Sequence, residues 1–130
     1  RGVNVANVLT AKDIARKKPA AMFKKSEHDG PASALQYLMD NDREYGIVVD
    51  KSSLYSGIVS VDSLREAHND NNSLVSAQLT DGVTLKPNQA INDILGVVAN
   101  VPYSVPVVDE SGKYFGVVTK SRLLQTLDKG

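Results

Sequence analysis

The segment YSGIVSVDSLR, residues 55–65, returns 59 positions later as YFGVVTKSRLL, residues 114–124. The register continues upstream of both segments without a gap. Self-similarity at a fixed period is typical of a structural unit that is used more than once. The residues that recur are Val48, Val49, Asp50, Ser52, Tyr55, Gly57, Val59 and Leu64, which return as Val107, Val108, Asp109, Ser111, Tyr114, Gly116, Val118 and Leu123.

The hydrophobic pattern of each copy predicts the element order β-α-β-β-α. In the first copy, the predicted elements are the strand AMFK, a helix that begins near Pro31, the paired strands YGIVVD and YSGIVS, and the helix VDSLREAH. In the second copy they are the strand VTLK, a helix over residues 90–99, the strands SVPVVDE and YFGVVT, and the helix KSRLLQTL. The predicted buried helix faces are Ala32, Leu35, Leu38 and Met39 in the first copy and Ile91, Ile94, Leu95 and Val98 in the second.

Ahead of the first copy, Thr10 followed by Asp13 predicts a capped short helix that Pro19 ends. The predicted organisation is an N-terminal linker and helix over residues 1–19, a first motif over 20–69, a linker over 70–81 and a second motif over 82–130. One unit of about 60 residues buries too little apolar surface to be stable alone. We therefore expect the two motifs to share one core and to pair about a pseudo-twofold axis.

The composition excludes several classes of protein. Of 130 residues, 42 % are hydrophobic and 23 % are charged, and no apolar run reaches the roughly 20 residues of a membrane-spanning helix. The absence of cysteine excludes disulfides, thiolate metal sites and a cysteine nucleophile. His28 and His68 stand in no HExxH motif, and no serine lies in a GxSxG elbow. The sequence therefore predicts neither a metal site nor a catalytic residue.

The two copies of the repeat carry the residues of a known family. The segments GIVS and GVVT, each followed by a short helix and preceded by a strand that ends in Asp, resemble paired CBS motifs. The segments RGVNVANVLTAKDIARKKP, DREYGIVVD and VPVVDESGKYFGVVTKSRLLQTLD are similar to the C-terminal regulatory part of the ATP-binding subunit of glycine betaine/L-proline ABC importers. The resemblance implies an α/β fold of two CBS motifs, together called a Bateman module.

The resemblance also implies a regulatory fragment that follows a nucleotide-hydrolysing domain, which fits a sequence that starts without methionine. No GxxxxGK[ST] loop occurs, so this chain is not expected to hydrolyse ATP. The implied partners are a second copy in a homodimer, the ATPase domain and the permease, at the cytoplasmic face of the membrane. No nucleic acid is expected as a partner. A purely structural dimerisation element without a ligand is the alternative.

The family's ligand residues carry over only in part. In CBS pairs a Ser or Thr after the glycine contacts a nucleotide, and an Asp three residues later holds the ribose. Ser60 and Thr119 match the first element, whereas Ser63 and Arg122 replace the two aspartates. The guanidinium of Arg122 donates hydrogen bonds only, which suits phosphate. The implied cleft, Ser60, Ser63, Thr119, Lys120 and Arg122, would take an adenine nucleotide or a cyclic dinucleotide, unless Ser60 and Thr119 serve only as helix caps.

Positive charge is concentrated at the start of the chain. Residues 1–25 contain seven Lys or Arg and one Asp, although the whole chain has no net charge. This run predicts a salt-responsive cationic patch for phosphate or an anionic membrane surface. The alternative is a solvated helix end whose cations complement the helix dipole. The residues of the predicted patch are Lys12, Arg16, Lys17, Lys18, Lys24 and Lys25.

Overall fold

A computed structural model describes residues 9–18 and 21–128. The chain divides into two compact units, of which unit 1 is Arg1–Lys18 with Val83–Gly130 and unit 2 is Pro19–Gly82. No helix within the described residues is long and apolar enough to cross a membrane. The elements in chain order are α1 (Ala11–Ile14), β1 (Met22–Lys24), α2 (Ala32–Asp40), β2 (Tyr45–Val49), β3 (Tyr55–Ser60), α3 (Val61–Asn69), α4 (Ile91–Ala99), β4 (Val105–Val108), β5 (Tyr114–Val118) and α5 (Lys120–Asp128).

Unit 2 contains a three-stranded sheet in the order β1-β2-β3. Strand β1 runs parallel to β2, and β2 runs antiparallel to β3. Helix α2 makes the crossover that a parallel pair requires, and α3 follows β3 directly. The predicted order β-α-β-β-α is therefore confirmed for the first copy. Two 3-10 turns, Lys25–Glu27 and Val75–Ala77, complete the unit.

The predicted buried face of α2 is wrong at two positions. Ala34 and Leu38 are buried and Leu35 is half-buried, whereas Ala32 and Met39 are exposed. The repeat offset pairs Met39 with Val98, which is buried in α4, so the sequence placed both on core faces. The buried positions Ala34 and Leu38 of α2 correspond to Ile94 and Val98 of α4 at an offset of 60 residues instead of 59. Helix α2 is therefore rotated about its own axis, by one residue from the repeat register, which turns Met39 outward.

Unit 1 contains the hairpin β4-β5 with the helices α4 and α5. The predicted strand VTLK is wrong, because only Leu85 pairs, in a single parallel bridge with Val107. The backbone N–H of Lys86 donates to the side-chain oxygen of Gln89 at 2.8 Å, so it does not hydrogen-bond to a neighbouring strand. Pro87, which follows, has no N–H to donate. The strand therefore cannot extend beyond Leu85.

The N-terminal segment is part of unit 1. The backbone N–H of Thr10 donates to the carboxylate of Asp13 at 2.9 Å, which confirms the predicted capping pair. Helix α1 ends at Ile14 rather than at Pro19, which lies outside the described residues. The reason is that Arg16 forms an antiparallel bridge with Val117, whose two hydrogen bonds measure 2.8 and 2.9 Å.

Each unit has a hydrophobic cluster of its own. The sequence predicted one core shared by the two motifs and did not indicate a separate cluster in each unit. In unit 2 the cluster packs α2 and α3 on the sheet, and in unit 1 it packs α1, α4 and α5 on the hairpin. The largest buried side chains in unit 2 include Leu38 and Leu64. In unit 1 they include Leu85, Ile91 and Ile94.

The two hairpin turns are built alike. A carboxylate oxygen of Asp50 accepts from the backbone N–H groups of Ser52 and Leu54, at 2.8 and 2.9 Å. Asp109 accepts from the backbone N–H groups of Ser111 and Lys113, both at 2.9 Å. Both aspartates therefore act as turn residues at the end of a strand.

The turn of unit 1 predicts a pH dependence. The Ser111 hydroxyl, followed by the Lys113 N–H, lowers the pKa of Asp109 from 3.8. A lowered folded-state pKa gives stability that is present above the unfolded value and is lost as the pH falls through the folded value. We expect Asp109→Asn, which keeps an acceptor oxygen but does not titrate, to flatten the loss of stability below about pH 4. Urea unfolding between pH 2 and 7 measures this, and an unchanged slope would contradict it.

Candidate ligand-binding site

Each unit has a pocket where its β-hairpin leads into the following helix. The pocket of unit 2 has a volume of about 460 Å³ and that of unit 1 about 260 Å³. The unit 2 pocket is lined by Leu38, Met39, Asp42, Arg43, Glu44, Tyr45, Ser60, Val61 and Asp62. The unit 1 pocket is lined by Pro102, Tyr103, Ser104, Thr119, Lys120 and Ser121, which are the repeat equivalents of the residues from Arg43 to Tyr45 and from Ser60 to Asp62. The repeat therefore places equivalent pockets in both units.

In unit 2, the predicted residues Ser60 and Ser63 lie together. The hydroxyl of Ser60 accepts from the backbone N–H of Ser63 at 2.9 Å, and the hydroxyl of Ser63 accepts from the backbone N–H of Ser60 at 2.8 Å. This is a capping box at the start of α3, which satisfies two backbone donors. Ser60 also lines the pocket, so capping and ligand contact use the same side chain.

In unit 1, Thr119 and Lys120 line the pocket, and Arg122 does not. The hydroxyl of Thr119 accepts from the backbone N–H of Arg122 at 3.0 Å, which caps α5. The Nε of Arg122 donates to the backbone oxygen of Ile14 at 3.4 Å. The predicted residues of this unit therefore divide into two that face the pocket and one that contacts the N-terminal segment.

The two pockets differ in charge. The lining of the unit 2 pocket contains three carboxylates, Asp42, Glu44 and Asp62, and one cation, Arg43. In unit 1, Lys120 is the one charged residue of the lining. Coulomb interactions therefore favour an anion in the unit 1 pocket and oppose it in the unit 2 pocket.

Two tyrosines of the pockets were not predicted as site residues. Tyr45 lines the unit 2 pocket and Tyr103 lines the unit 1 pocket. The hydroxyl of Tyr103 accepts from the backbone N–H of Val83 at 3.1 Å, which fixes the ring. Their positions before or at the start of strands predicted packing at the sheet edge or the dimer face, with stacking of one tyrosine on a base as the alternative. No sequence signal marked Tyr103, because its repeat equivalent is Glu44, and the structure alone shows that both residues line pockets.

The predicted cationic patch is divided between the units. Lys12, Arg16, Lys17 and Lys18 are exposed in unit 1, whereas Lys24 and Lys25 are exposed in unit 2. The ammonium of Lys12 lies 4.9 Å from the ring centroid of Phe115. Among the described residues, no group of three or more His, Asp or Glu side chains could hold a metal ion.

Comparisons with known proteins identify the class. Residues 77–129 match the CBS domain family. The cystathionine beta-synthase pair domain of a putative Mg²⁺ transporter from Shewanella oneidensis has a TM-score of 0.77, with 17 % identity, over 93 % of this chain and 71 % of that chain. CbpB in complex with c-di-AMP has a TM-score of 0.73, with 16 % identity, over 92 % and 80 % of the two chains. Residues 77–129 thus belong to the CBS domain family, and the fold of the chain is that of a CBS pair, as the resemblance predicted.

Among curated proteins, the chain is similar to the glycine betaine/proline betaine transport system ATP-binding protein ProV of Salmonella typhimurium. The two are 40 % identical over 129 residues, which is 99 % of this chain and 32 % of the relative. The chain therefore spans about a third of the length of that relative. The resemblance predicted from the sequence is confirmed.

Proposed function

We propose that this CBS pair regulates the ATP-binding subunit of an osmoprotectant importer for glycine betaine or proline. In this role it senses ionic strength or a nucleotide and modulates the attached ATPase. It acts as a homodimer at the cytoplasmic face of the membrane, together with the permease. The observation that carries the proposal is the 40 % identity to ProV, which extends over 99 % of the chain.

The pocket of unit 1 is the proposed site for a nucleotide. Lys120 supplies a positive charge for the phosphate, and Thr119 supplies a hydroxyl for a hydrogen bond. Tyr103 supplies an aromatic ring that can contact the base with its edge or its face. The complex of CbpB with c-di-AMP supports a cyclic dinucleotide as one candidate. The three carboxylates of the unit 2 pocket argue against a phosphate there.

Thermal unfolding tests the nucleotide input directly. The chain is heated with AMP, ATP or c-di-AMP, each at low and at high salt. A ligand at 100 times its dissociation constant adds about 2.7 kcal/mol, which for this length raises the unfolding midpoint by about 10 °C. An unchanged midpoint with every nucleotide would reject the nucleotide input and leave the ionic one.

The Lys120→Gln variant locates the binding site. We expect it to reduce the midpoint shift caused by the nucleotide, because the charge that faces the phosphate is lost. Lys86→Gln is the matched control, since Lys86 is an exposed lysine of the same unit that lies outside this pocket. Equal shifts for the two variants would remove the unit 1 pocket from consideration.

A structural dimerisation element is the second candidate function. It is favoured by the capping box of Ser60 and Ser63 and by the contact of Arg122 with Ile14, which give these side chains roles without a ligand. Weakening the dimer in the complete transporter separates the two functions. A scaffold would lose all transport, whereas a sensor would lose only the response to salt or nucleotide.

A further inference from the structure

The outer edge of each β-hairpin is closed by a segment that hydrogen-bonds to the same position of the repeat. In unit 2, the backbone N–H of Leu79 donates to the backbone oxygen of Ile58 at 2.7 Å. In unit 1, Arg16 and Val117 exchange two backbone hydrogen bonds of 2.8 and 2.9 Å, and Val117 is the repeat equivalent of Ile58. The edge of the first copy is thus closed by the segment that leads into the second copy, and the edge of the second copy by the segment that leads into the first.

The segment at the edge of β5 consists of residues 9–16, which we call the strap. Its helix α1 has only four residues, and a helix this short is not stable in isolation. The strap is instead held by unit 1, because Ala11 and Ile14 are buried in the core of this unit. The backbone N–H of Lys12 also donates to the backbone oxygen of Pro87 at 3.0 Å. A segment that depends on such contacts opens as a whole rather than residue by residue.

The strap is anchored on both sides of the residues that line the unit 1 pocket. One anchor is the bridge between Arg16 and Val117 of β5. The other is the hydrogen bond that the Nε of Arg122 donates to the backbone oxygen of Ile14. Between the two anchors lie the pocket residues at positions 119 and 120. The pocket and the strap therefore depend on the same short stretch of chain, where β5 leads into α5.

Arg122 is the weaker of the two anchors. Its bond to Ile14 measures 3.4 Å, and a guanidinium has five N–H donors, of which only Nε has an acceptor among the described residues. The side chain is half-buried and pairs with no carboxylate in this part of the chain. The backbone N–H of Arg122 donates to the hydroxyl of Thr119 at 3.0 Å. A ligand that contacts Thr119 therefore restrains the residue that holds the strap.

From these observations we infer that the strap is a transmission element: a ligand in the unit 1 pocket stabilises its docked state, and the strap passes that state to the domain ahead of it. The inference rests on the proposed function, which places a nucleotide in this pocket and the ATPase domain ahead of this segment. A ligand shifts such an equilibrium only by the difference between its affinities for the two states. Opening of the strap releases Val117 and Arg122 and so loosens the pocket between them. The ligand therefore binds the docked state more tightly, and the coupling is reciprocal.

Native-state hydrogen exchange of the 130-residue chain tests whether the strap opens as a unit. We expect the amides of Lys12, Arg16 and Val117 to share one protection factor, because opening of the strap breaks the hydrogen bonds of all three. It should be about tenfold or more below that of Leu85 and Val108, whose amides donate to backbone oxygens of unit 1 outside the strap. Equal protection of all five amides would overturn the inference.

Substitutions at the two anchors should open the strap. Arg122→Met removes the donor to Ile14 and should lower the protection of the strap amides by about two- to tenfold, whereas Arg122→Lys, which keeps a donor, should have a smaller effect. Gly116→Ala should lower it further, because the new methyl group would meet the backbone oxygen of Arg16. Gly57→Ala, at the equivalent glycine of unit 2, is the matched control and should leave the strap unchanged. Unchanged protection in Arg122→Met and Gly116→Ala would contradict both anchors.

The coupling to the pocket is tested by exchange in the presence of c-di-AMP, AMP or ATP. Any nucleotide that binds the folded chain raises the protection of Leu85 and Val108, which exchange through unfolding of unit 1. The inference requires that the protection of Arg16 and Val117 rises as well. A rise at the first pair alone would show that the strap opens independently of the ligand, and would overturn the inference.

ATP hydrolysis by the complete transporter separates failure of the inference from failure of the proposed function. With Gly116→Ala in the ATP-binding subunit, we expect an active enzyme with a reduced response to salt or nucleotide, whereas Gly57→Ala should respond as the wild type does. A full response with Gly116→Ala would overturn the inference and leave the proposed function intact. A wild type without any response would reject the proposed function and with it the transmission role, while hydrogen exchange would still show whether the strap opens as a unit.

Discussion

Gly116→Ala is expected to lower the free energy of unfolding by about 4 kcal/mol, the sum of backbone strain and a steric clash. Gly116 has a φ of +140°, a conformation that residues with a side chain rarely adopt. A methyl group at this position would lie 2.5 Å from the backbone oxygen of Arg16. That oxygen accepts the hydrogen bond of Val117, so relief of the clash would detach the N-terminal segment from β5. Urea unfolding of the variant measures the effect.

Gly57→Ala is the matched control, because Gly57 is the equivalent glycine of the first copy. A methyl group there would meet the side chain of Gln78, with 2.7 Å to its Cδ atom. The outer atoms of this side chain can rotate away at the cost of its hydrogen bonds to Ser56, and a small backbone shift relieves the contact with its Cβ atom at 2.9 Å. We expect a loss of about 1–2 kcal/mol. If both variants lose the same stability, the approach of Arg16 to Gly116 is not what requires glycine.

Leu38→Ala is expected to cost about 3 kcal/mol, because it leaves a cavity in the core of unit 2. Leu38 has a relative exposure of 0 % and packs in the cluster that α2 and α3 form on the sheet. Thermal or urea unfolding of the variant measures the loss.

Met39→Ala, at the adjacent position, should change the stability by about 0.5 kcal/mol or less. Met39 has a relative exposure of 52 %, although the sequence predicted it to be buried. The pair of variants therefore tests the rotation of α2. Comparable losses for the two variants would restore the face predicted from the sequence, which included both residues.

The parts of the fold that depend on local sequence could be predicted. Both hairpins were evident, because strand, turn and strand are contiguous and recur at one offset. The turn aspartates Asp50 and Asp109 could be identified for the same reason. The same holds for Thr10 and Asp13, since a capping pair needs only four consecutive residues.

The parts that depend on distant contacts could not be predicted. The bridge between Arg16 and Val117 joins segments 101 positions apart, and no local pattern indicates it. This bridge is one of the contacts that place the N-terminal cations in unit 1, the unit of the second copy. The remaining lining of the two pockets was missed for a related reason, because residues such as Glu44 and Tyr103 line them from loops without a motif.

The measurement that tests the proposed function most directly is ATP hydrolysis by the complete transporter in proteoliposomes, with and without this chain on its ATP-binding subunit. The salt concentration is varied, and the nucleotide that raises the unfolding midpoint is added. We expect the complete subunit to change its activity with salt or nucleotide, and the truncated subunit to remain active but unresponsive. The same response in both would contradict a regulatory role for this CBS pair.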